Sequence, residues 1–210
     1  MKKLILIIVL FLLPVAAFAA DQVLEDPRWS LELKGGTFAP ALDNWATYYG
    51  KKDMPSYGGA LAFKPIRWIE VGVEATLMSD EGQSYAPGHG TLSGNVTYKL
   101  YPVNVFVLAR GVISEGQWLV PYIGGGFTRM YYEQTIEGQD AISGYVDGYH
   151  VRGGLQLLLD AMDQRAANDM FKDYGVFHTY LFFEAERTKA KIDAIDIGGT
   201  SYMMGLLFEF

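Results

Sequence analysis

The residues able to do chemistry are few in kind. The sequence holds three histidines, His89, His150 and His178, and no cysteine. That excludes thiolate metal sites and a disulfide framework. Neither His-x-His nor His-Glu-x-x-His spacing occurs, so no metal and no other cofactor is expected. What remains is charge at regular intervals. Glu32 and Lys34, Glu70 and Glu74, Arg129, Arg152, and Glu184 and Glu186 fall on the non-apolar parity of alternating segments. Such groups persist away from bulk water only when they are paired or wet, so they predict an ion-paired network that plugs the interior; a proton- or ligand-coupled interior is the functional alternative, which spacing alone does not support. A second set could bind a small molecule: Trp45, Tyr48 and Tyr49 in the cluster Trp45-Ala46-Thr47-Tyr48-Tyr49, together with Trp68, Arg129 and Arg152. Aromatics in a polar connection stack on a sugar or apolar ligand, or close the mouth of whatever they sit on; the lid is the reading favoured here.

These side chains are placed by strands. In 67–77, Ile69, Val71, Val73, Ala75 and Leu77 oppose Trp68, Glu70, Gly72, Glu74 and Thr76. In 200–210, Tyr202, Met204, Leu206, Phe208 and Phe210 oppose Ser201, Met203, Gly205, Leu207 and Glu209. Period-two alternation of this kind recurs in eight segments, about 29–39, 56–64, 66–78, 90–110, 118–134, 143–159, 176–189 and 198–210. Eight antiparallel strands with one apolar face form the smallest closed membrane barrel. Closure matters because an open sheet edge in hydrocarbon would leave backbone amides unsatisfied.

The connections alternate in character. Segments 40–55, 79–89, 135–142 and 190–197 are longer, polar and Gly-rich, and are expected outside the cell, whereas 64–66 and 111–117 are short and periplasmic. Residues 160–174 are too long for a turn. Leu159, Met162, Ala166 and Met170 recur there at helical spacing, which predicts a short amphipathic helix at the periplasmic rim between strands 6 and 7. In the fourth segment the apolar parity changes at Pro102, from Leu92, Val96, Tyr98 and Leu100 to Val103, Val105 and Val107. A bulge beside a residue that lacks an N–H explains such a change, and a lateral gap in the wall is its functional counterpart. Gly124-Gly125-Gly126 thins the wall and lets it bend.

At the start, Lys2 and Lys3 precede an apolar run from Leu4 to Leu13, followed by Pro14 and Ala16-Ala17-Phe18-Ala19-Ala20. The run is short for a spanning helix and ends in an A-x-A pattern, so residues 1–19 are expected to be a signal peptide and 20–210 the barrel. The net charge is −7, and loss of Lys2 and Lys3 takes it to about −9. An acidic chain of this kind is a poor nucleic-acid binder.

The C-terminal stretch from Tyr202 to Phe210, with apolar residues at alternate positions before a terminal aromatic, resembles the signal by which the barrel-assembly machinery recognises small eight-stranded bacterial outer-membrane barrels of the OmpA, OmpX and OmpW type. Pro121-Tyr122-Ile123-Gly124-Gly125-Gly126 resembles the fifth-strand P-Y-x-G-x-G stretch of the OmpW-like group. The resemblance implies an all-β, eight-stranded antiparallel transmembrane barrel in the bacterial outer membrane. Tyr202, Met204, Leu206, Phe208 and Phe210 would form the assembly signal. Expected partners are the assembly machinery, outer-membrane lipid and lipopolysaccharide, with the barrel a monomer. Lipid A deacylases of similar architecture carry a histidine two residues before a serine; here His178-Thr179-Tyr180 has tyrosine at that place, so no enzyme is expected. The expected function is structural, or the binding or passage of a small apolar molecule through outer loops and lumen. A lipid-modifying enzyme and a soluble lipocalin-like barrel with inverted faces are the alternatives.

Overall fold

A computed structural model describes residues 27–42, 45–49, 51–85, 92–114, 116–136, 140–192 and 195–210. The signal-peptide reading and His89 lie outside them. Among the described residues nine strands form: β1 (Trp29–Pro40), β2 (Met54–Ile66), β3 (Ile69–Tyr85), β4 (Leu92–Arg110), β5 (Leu119–Ile136), β6 (Ile142–Leu158), β7 (His178–Ile192), β8 (Ile195–Asp196) and β9 (Gly199–Glu209), with α1 (Trp45–Tyr49) and α2 (Gln164–Tyr174). Neighbours in sequence pair antiparallel from β1 to β7, β7 pairs with β9, and β9 pairs with β1. The ring is therefore closed by eight strands, and β8 is a two-residue addition to the end of β7. At the seam Leu33 stands opposite Leu206, and Trp29 and Phe210 exchange backbone hydrogen bonds of 3.0 and 2.8 Å.

The faces are those of a membrane barrel. Leu33, Val71, Val73, Val103, Val105, Val107, Val151, Leu155, Phe183 and Met204 are exposed, while Glu32, Lys34, Glu70, Glu74, Arg152, Glu184 and Glu186 are buried. An apolar exterior around a charged interior is unfavourable in water and stable in lipid, which overturns the soluble lipocalin-like alternative. No described helix is long and apolar enough to cross a membrane; the strands do so. Short connections, both chain ends of the barrel and α2 share one rim, the periplasmic one, and the longer loops share the other. Trp29, Trp68 and Trp118 are exposed at the periplasmic rim, and Tyr57, Tyr131, Tyr145, Tyr149 and Tyr202 toward the outer one, where amphipathic rings sit at headgroup level.

Helix α2 has local causes. The Asp163 side chain accepts hydrogen bonds from the amides of Arg165 and Ala166, and Gly175, with φ at 70°, closes the far end, its N–H donating to the Phe171 carbonyl at 3.0 Å and that of Val176 to the Met170 carbonyl at 3.2 Å. None of its residues is buried, as befits a helix lying on a rim.

Two expectations about the strands are corrected. The first periplasmic turn is Arg67-Trp68, since β2 continues through Lys64-Pro65-Ile66 after a register shift past Phe63. No bulge occurs at Pro102: β4 keeps one register with β5 from Val96 opposite Ile136 to Arg110 opposite Tyr122. Val96, Tyr98, Leu100, Asn104, Phe106, Leu108 and Arg110 are all buried on one parity. The apolar residues change faces while the strand does not slip, because the outer half of the lumen is itself apolar. Toward β3 the ladder skips Tyr101 and Pro102 and resumes in the same register, as the missing proline N–H requires.

Candidate functional site

The lumen is stacked in three levels. At the periplasmic level Arg110 Nη1 bonds to Glu70 at 3.1 Å and to Glu209, and Arg110 Nε donates to Gln156 at 3.0 Å. Lys64 meets Glu209 at 2.8 Å. Below them a cavity of about 330 Å³, lined in part by Lys64, Arg67, Arg110, His178 and Tyr180, opens toward the periplasm.

The middle level is a cross-lumen ionic floor. Lys34 Nζ donates to Glu74 at 2.6 Å and to Glu184 at 2.7 Å. Arg152 Nη1 lies 2.7 Å from Glu74, 3.4 Å from Glu184 and 3.5 Å from Glu32, with its guanidinium 3.9 Å from the centre of the Phe106 ring. Tyr122 donates to Glu184 at 3.0 Å, and Thr76 and Asn104 to Glu74 at 3.2 and 3.3 Å. The side chains of Lys34, Glu74, Arg152 and Glu184 are at most 3% exposed, and burial of such charges is sustained only by this degree of pairing. Oxygens of Glu74, Glu184 and Glu186 come within 4.8 Å of one another, a spacing that could hold a cation. Lys34 already supplies positive charge to two of the three.

Room for these side chains comes from the glycine run. Gly124 stands between Leu108 and Arg152, and Gly126 between Phe106 and His150. A Cβ would come within 2.5 Å of the Val107 carbonyl oxygen at Gly124, and within 1.9 Å of that of Val105 at Gly126. Lumen-facing glycines thus let the large residues of both neighbouring strands fill the barrel.

The outer level is apolar. Phe38, Met54, Met78, Tyr98, Leu100, Met130, Ala190 and Ile197 form one buried cluster with Trp45 of α1, and Leu42, Tyr49, Tyr132 and Val146 pack against it. Trp45 stacks on Tyr49 at 3.8 Å and meets Tyr98 edge-on at 5.4 Å. Burial, with a smaller contribution from the Asp80 carboxylate, pushes the Tyr49 phenol up to about 12. Helix α1 thus fills the outer mouth from above.

The six candidate ligand-binding residues are not brought together. Trp45 and Tyr49 lie at the mouth, and Tyr48 belongs to the same helix. Arg152 is in the ionic floor, and Trp68 is 53% exposed at the opposite rim. Arg129 corrects an expectation: it faces outward, not into the lumen, and its guanidinium binds Asp147 through Nε at 2.7 Å and Nη2 at 2.9 Å over the Tyr145 ring. The glycines before it carry no parity signal, but its neighbours Thr128 and Met130 are buried, which fixes Arg129 outside. Glu32, Lys34, Glu70, Glu74, Glu184 and Glu186 do face the lumen. Sequence reasoning missed Lys64, Arg110, Tyr122 and Glu209 in the network and nearly all of the apolar outer cluster, although Leu100 and Met130 share lumen parity with Asn104 and Thr128.

The histidines are held locally. His150 Nδ1 is 2.9 Å from the Thr128 hydroxyl. His178 Nδ1 is 2.8 Å from Asp160, whose other oxygen accepts from the Thr179 amide at 3.0 Å. Among the described residues no serine hydroxyl hydrogen-bonds to His178.

No protein-family model matches the sequence, and no curated protein matches it. Solved structures do match in fold. OprG from Pseudomonas aeruginosa aligns at 13% identity and a TM-score of 0.59 over 90% of this chain and 99% of its own. Neisserial surface protein A aligns at 12% and 0.56 over 87% and 97%. Ail of Yersinia pestis, in complex with the heparin analogue sucrose octasulfate, aligns at 12% and 0.54 over 89% and 100%. A closed ring of eight antiparallel strands, apolar outside and charged within, gives this chain the architecture of the small eight-stranded outer-membrane β-barrels.

Proposed function

We propose that this barrel is a non-enzymatic outer-membrane protein that binds a small apolar molecule in the outer half of its lumen and offers no continuous aqueous path to the periplasm. One observation carries the reading: the outer lumen is lined by Phe38, Met54, Met78, Leu100 and Met130 beneath the Trp45–Tyr49 lid, where outer-membrane barrels ordinarily present polar side chains. Methionines repack readily around ligands of differing shape. Below the cluster, the Lys34–Glu74–Arg152–Glu184 floor bars passage of water and ions. The function is then capture at the mouth, with the wall beside Pro102, where the β3–β4 ladder lacks two pairings, as the place where an apolar molecule has least backbone bonding to displace.

The test uses Trp45 as reporter. With Trp29, Trp68 and Trp118 replaced by Phe, the barrel is held in lipid nanodiscs and titrated with a brominated medium-chain alcohol. Saturable quenching that weakens at least tenfold in Leu100→Glu supports the proposal. Equal quenching in the two proteins overturns it, as do stepwise currents from the wild type in planar bilayers. A change in lipid A mass on expression would replace the binding function by an enzymatic one.

A further inference from the structure

We propose that the outward face of β7 at the outer rim, built from Arg187, Lys189 and Lys191, docks the phosphate headgroup of an outer-leaflet lipid. The three cations occupy alternate positions of one strand and are all exposed, so their Cα atoms follow one another at about 7 Å on the same side of the sheet. Below them this face carries Leu181, Phe183 and Ala185. Arg187 therefore marks the height at which the lipid-facing wall passes from hydrocarbon to headgroup. Tyr149 on β6 stands opposite Lys189, and Tyr202 on β9 opposite Ala185. Both rings are exposed, as interfacial tyrosines are.

Nearby acids are engaged elsewhere. Asp147 is bound twice by Arg129. Glu184 and Glu186, on the same strand, face the lumen. Asp196, in register with Lys191, accepts from the backbone amides of Ala190 and Gly198. Among the described residues none of the three cations forms an ion pair; Arg187 donates to the Thr200 hydroxyl at 2.9 Å, which lays its guanidinium against the wall. Two other outward cations borne on strands of this rim are matched, Lys99 by Glu133 at 3.5 Å and Arg129 by Asp147. Among the described strands of this rim, the outward positive charge without a carboxylate partner thus lies on β7, although the chain is acidic overall. Phosphate is the outer-leaflet anion that complements it, and the apolar wall directly beneath, with Phe183, Val151 and Met204 exposed, accepts the acyl chains of the same molecule. That continuity selects a lipid over a free anion.

The full-length barrel, released from detergent, is titrated with phosphorylated lipid A and with chemically dephosphorylated lipid A, and retained lipid is read by native mass spectrometry. Each cation near a charged surface contributes roughly fivefold. The triple variant R187Q/K189Q/K191Q should therefore need at least about tenfold more phosphorylated lipid for equal occupancy, and the two proteins should take up the dephosphorylated lipid alike. Unboiled gel mobility confirms that the variant is folded. The loop variant K51Q/K52Q, which also removes positive charge, should bind as the wild type does. Equal retention of phosphorylated lipid by the triple variant overturns the proposal, as does an equal loss in the loop variant. Displacement of bound lipid by millimolar inorganic phosphate would assign the site to a free anion and overturn its lipid source.

Discussion

Arg152 on β6 reaches across the lumen to Glu74 on β3, its Nη1 2.7 Å from a carboxylate oxygen of a residue 78 positions away. The two strands are separated by two others in the ring, so the pair ties distant parts of the wall together through the interior, where hydrogen-bonded ladders cannot. Removing one partner of a buried pair costs about 3–5 kcal/mol, most of it the stranded opposite charge. Arg152→Met should accordingly lower the temperature at which the folded, fast-migrating form on unboiled gels converts to the unfolded one. Adding Glu74→Gln, which removes a stranded charge, should recover part of the loss. A double variant less stable than Arg152→Met would show that the charges do not act as a pair.

Arg129 makes an equally well-formed pair with Asp147, yet on the outer surface, with side chains 42% and 44% exposed. Solvent and headgroups screen such a pair, and ordering two long side chains offsets much of its attraction. Arg129→Gln should leave the gel transition close to that of the wild type. A fall comparable to that of Arg152→Met would mean that this face is buried against a partner.

How far the sequence reached can be followed at β4 and β5. The number of strands and their alternation are legible because hydrocarbon on one side and charge on the other impose period two, and the rim helix because Leu159, Met162, Ala166 and Met170 recur at helical spacing in a connection too long for a turn. The same rule misled at Pro102. It assumes that apolar residues face lipid, whereas Val96, Tyr98 and Leu100 face an apolar lumen. Arg129 breaks the converse assumption that charge faces inward, because above the hydrocarbon outward charge costs little. The outer cluster could not be read from spacing at all, since residues as far apart as Phe38, Leu100 and Ile197 meet only through closure of the ring.

The last strand presents Tyr202, Met204, Leu206, Phe208 and Phe210 on one side, the first three exposed to lipid, while Leu207 and Glu209 point inward to core and network. Changes on the outward side can therefore disturb delivery without breaking interior contacts. Phe208→Ala with Phe210→Ala should reduce the amount of protein recovered in the outer membrane while the refolded, purified variant still shows a heat-dependent mobility shift. Normal recovery of the double variant would remove the assembly role of these aromatics.

Trp45 is 4% exposed, stacked on Tyr49 and edge-on to Tyr98, but the helix that carries it spans only five residues. So short a helix contributes little by itself and is held by its packing. Truncating a buried aromatic costs about 3 kcal/mol where the surrounding structure must bear the cavity; here α1 can detach locally while the eight-strand ladder stays intact. Trp45→Ala should therefore leave the gel transition nearly unchanged, yet speed hydrogen exchange at the amides of residues 45–49 and make Tyr98 accessible to an aqueous tyrosine-modifying reagent. If instead Tyr98 stays protected, the mouth is closed by the cluster below and α1 is not its lid.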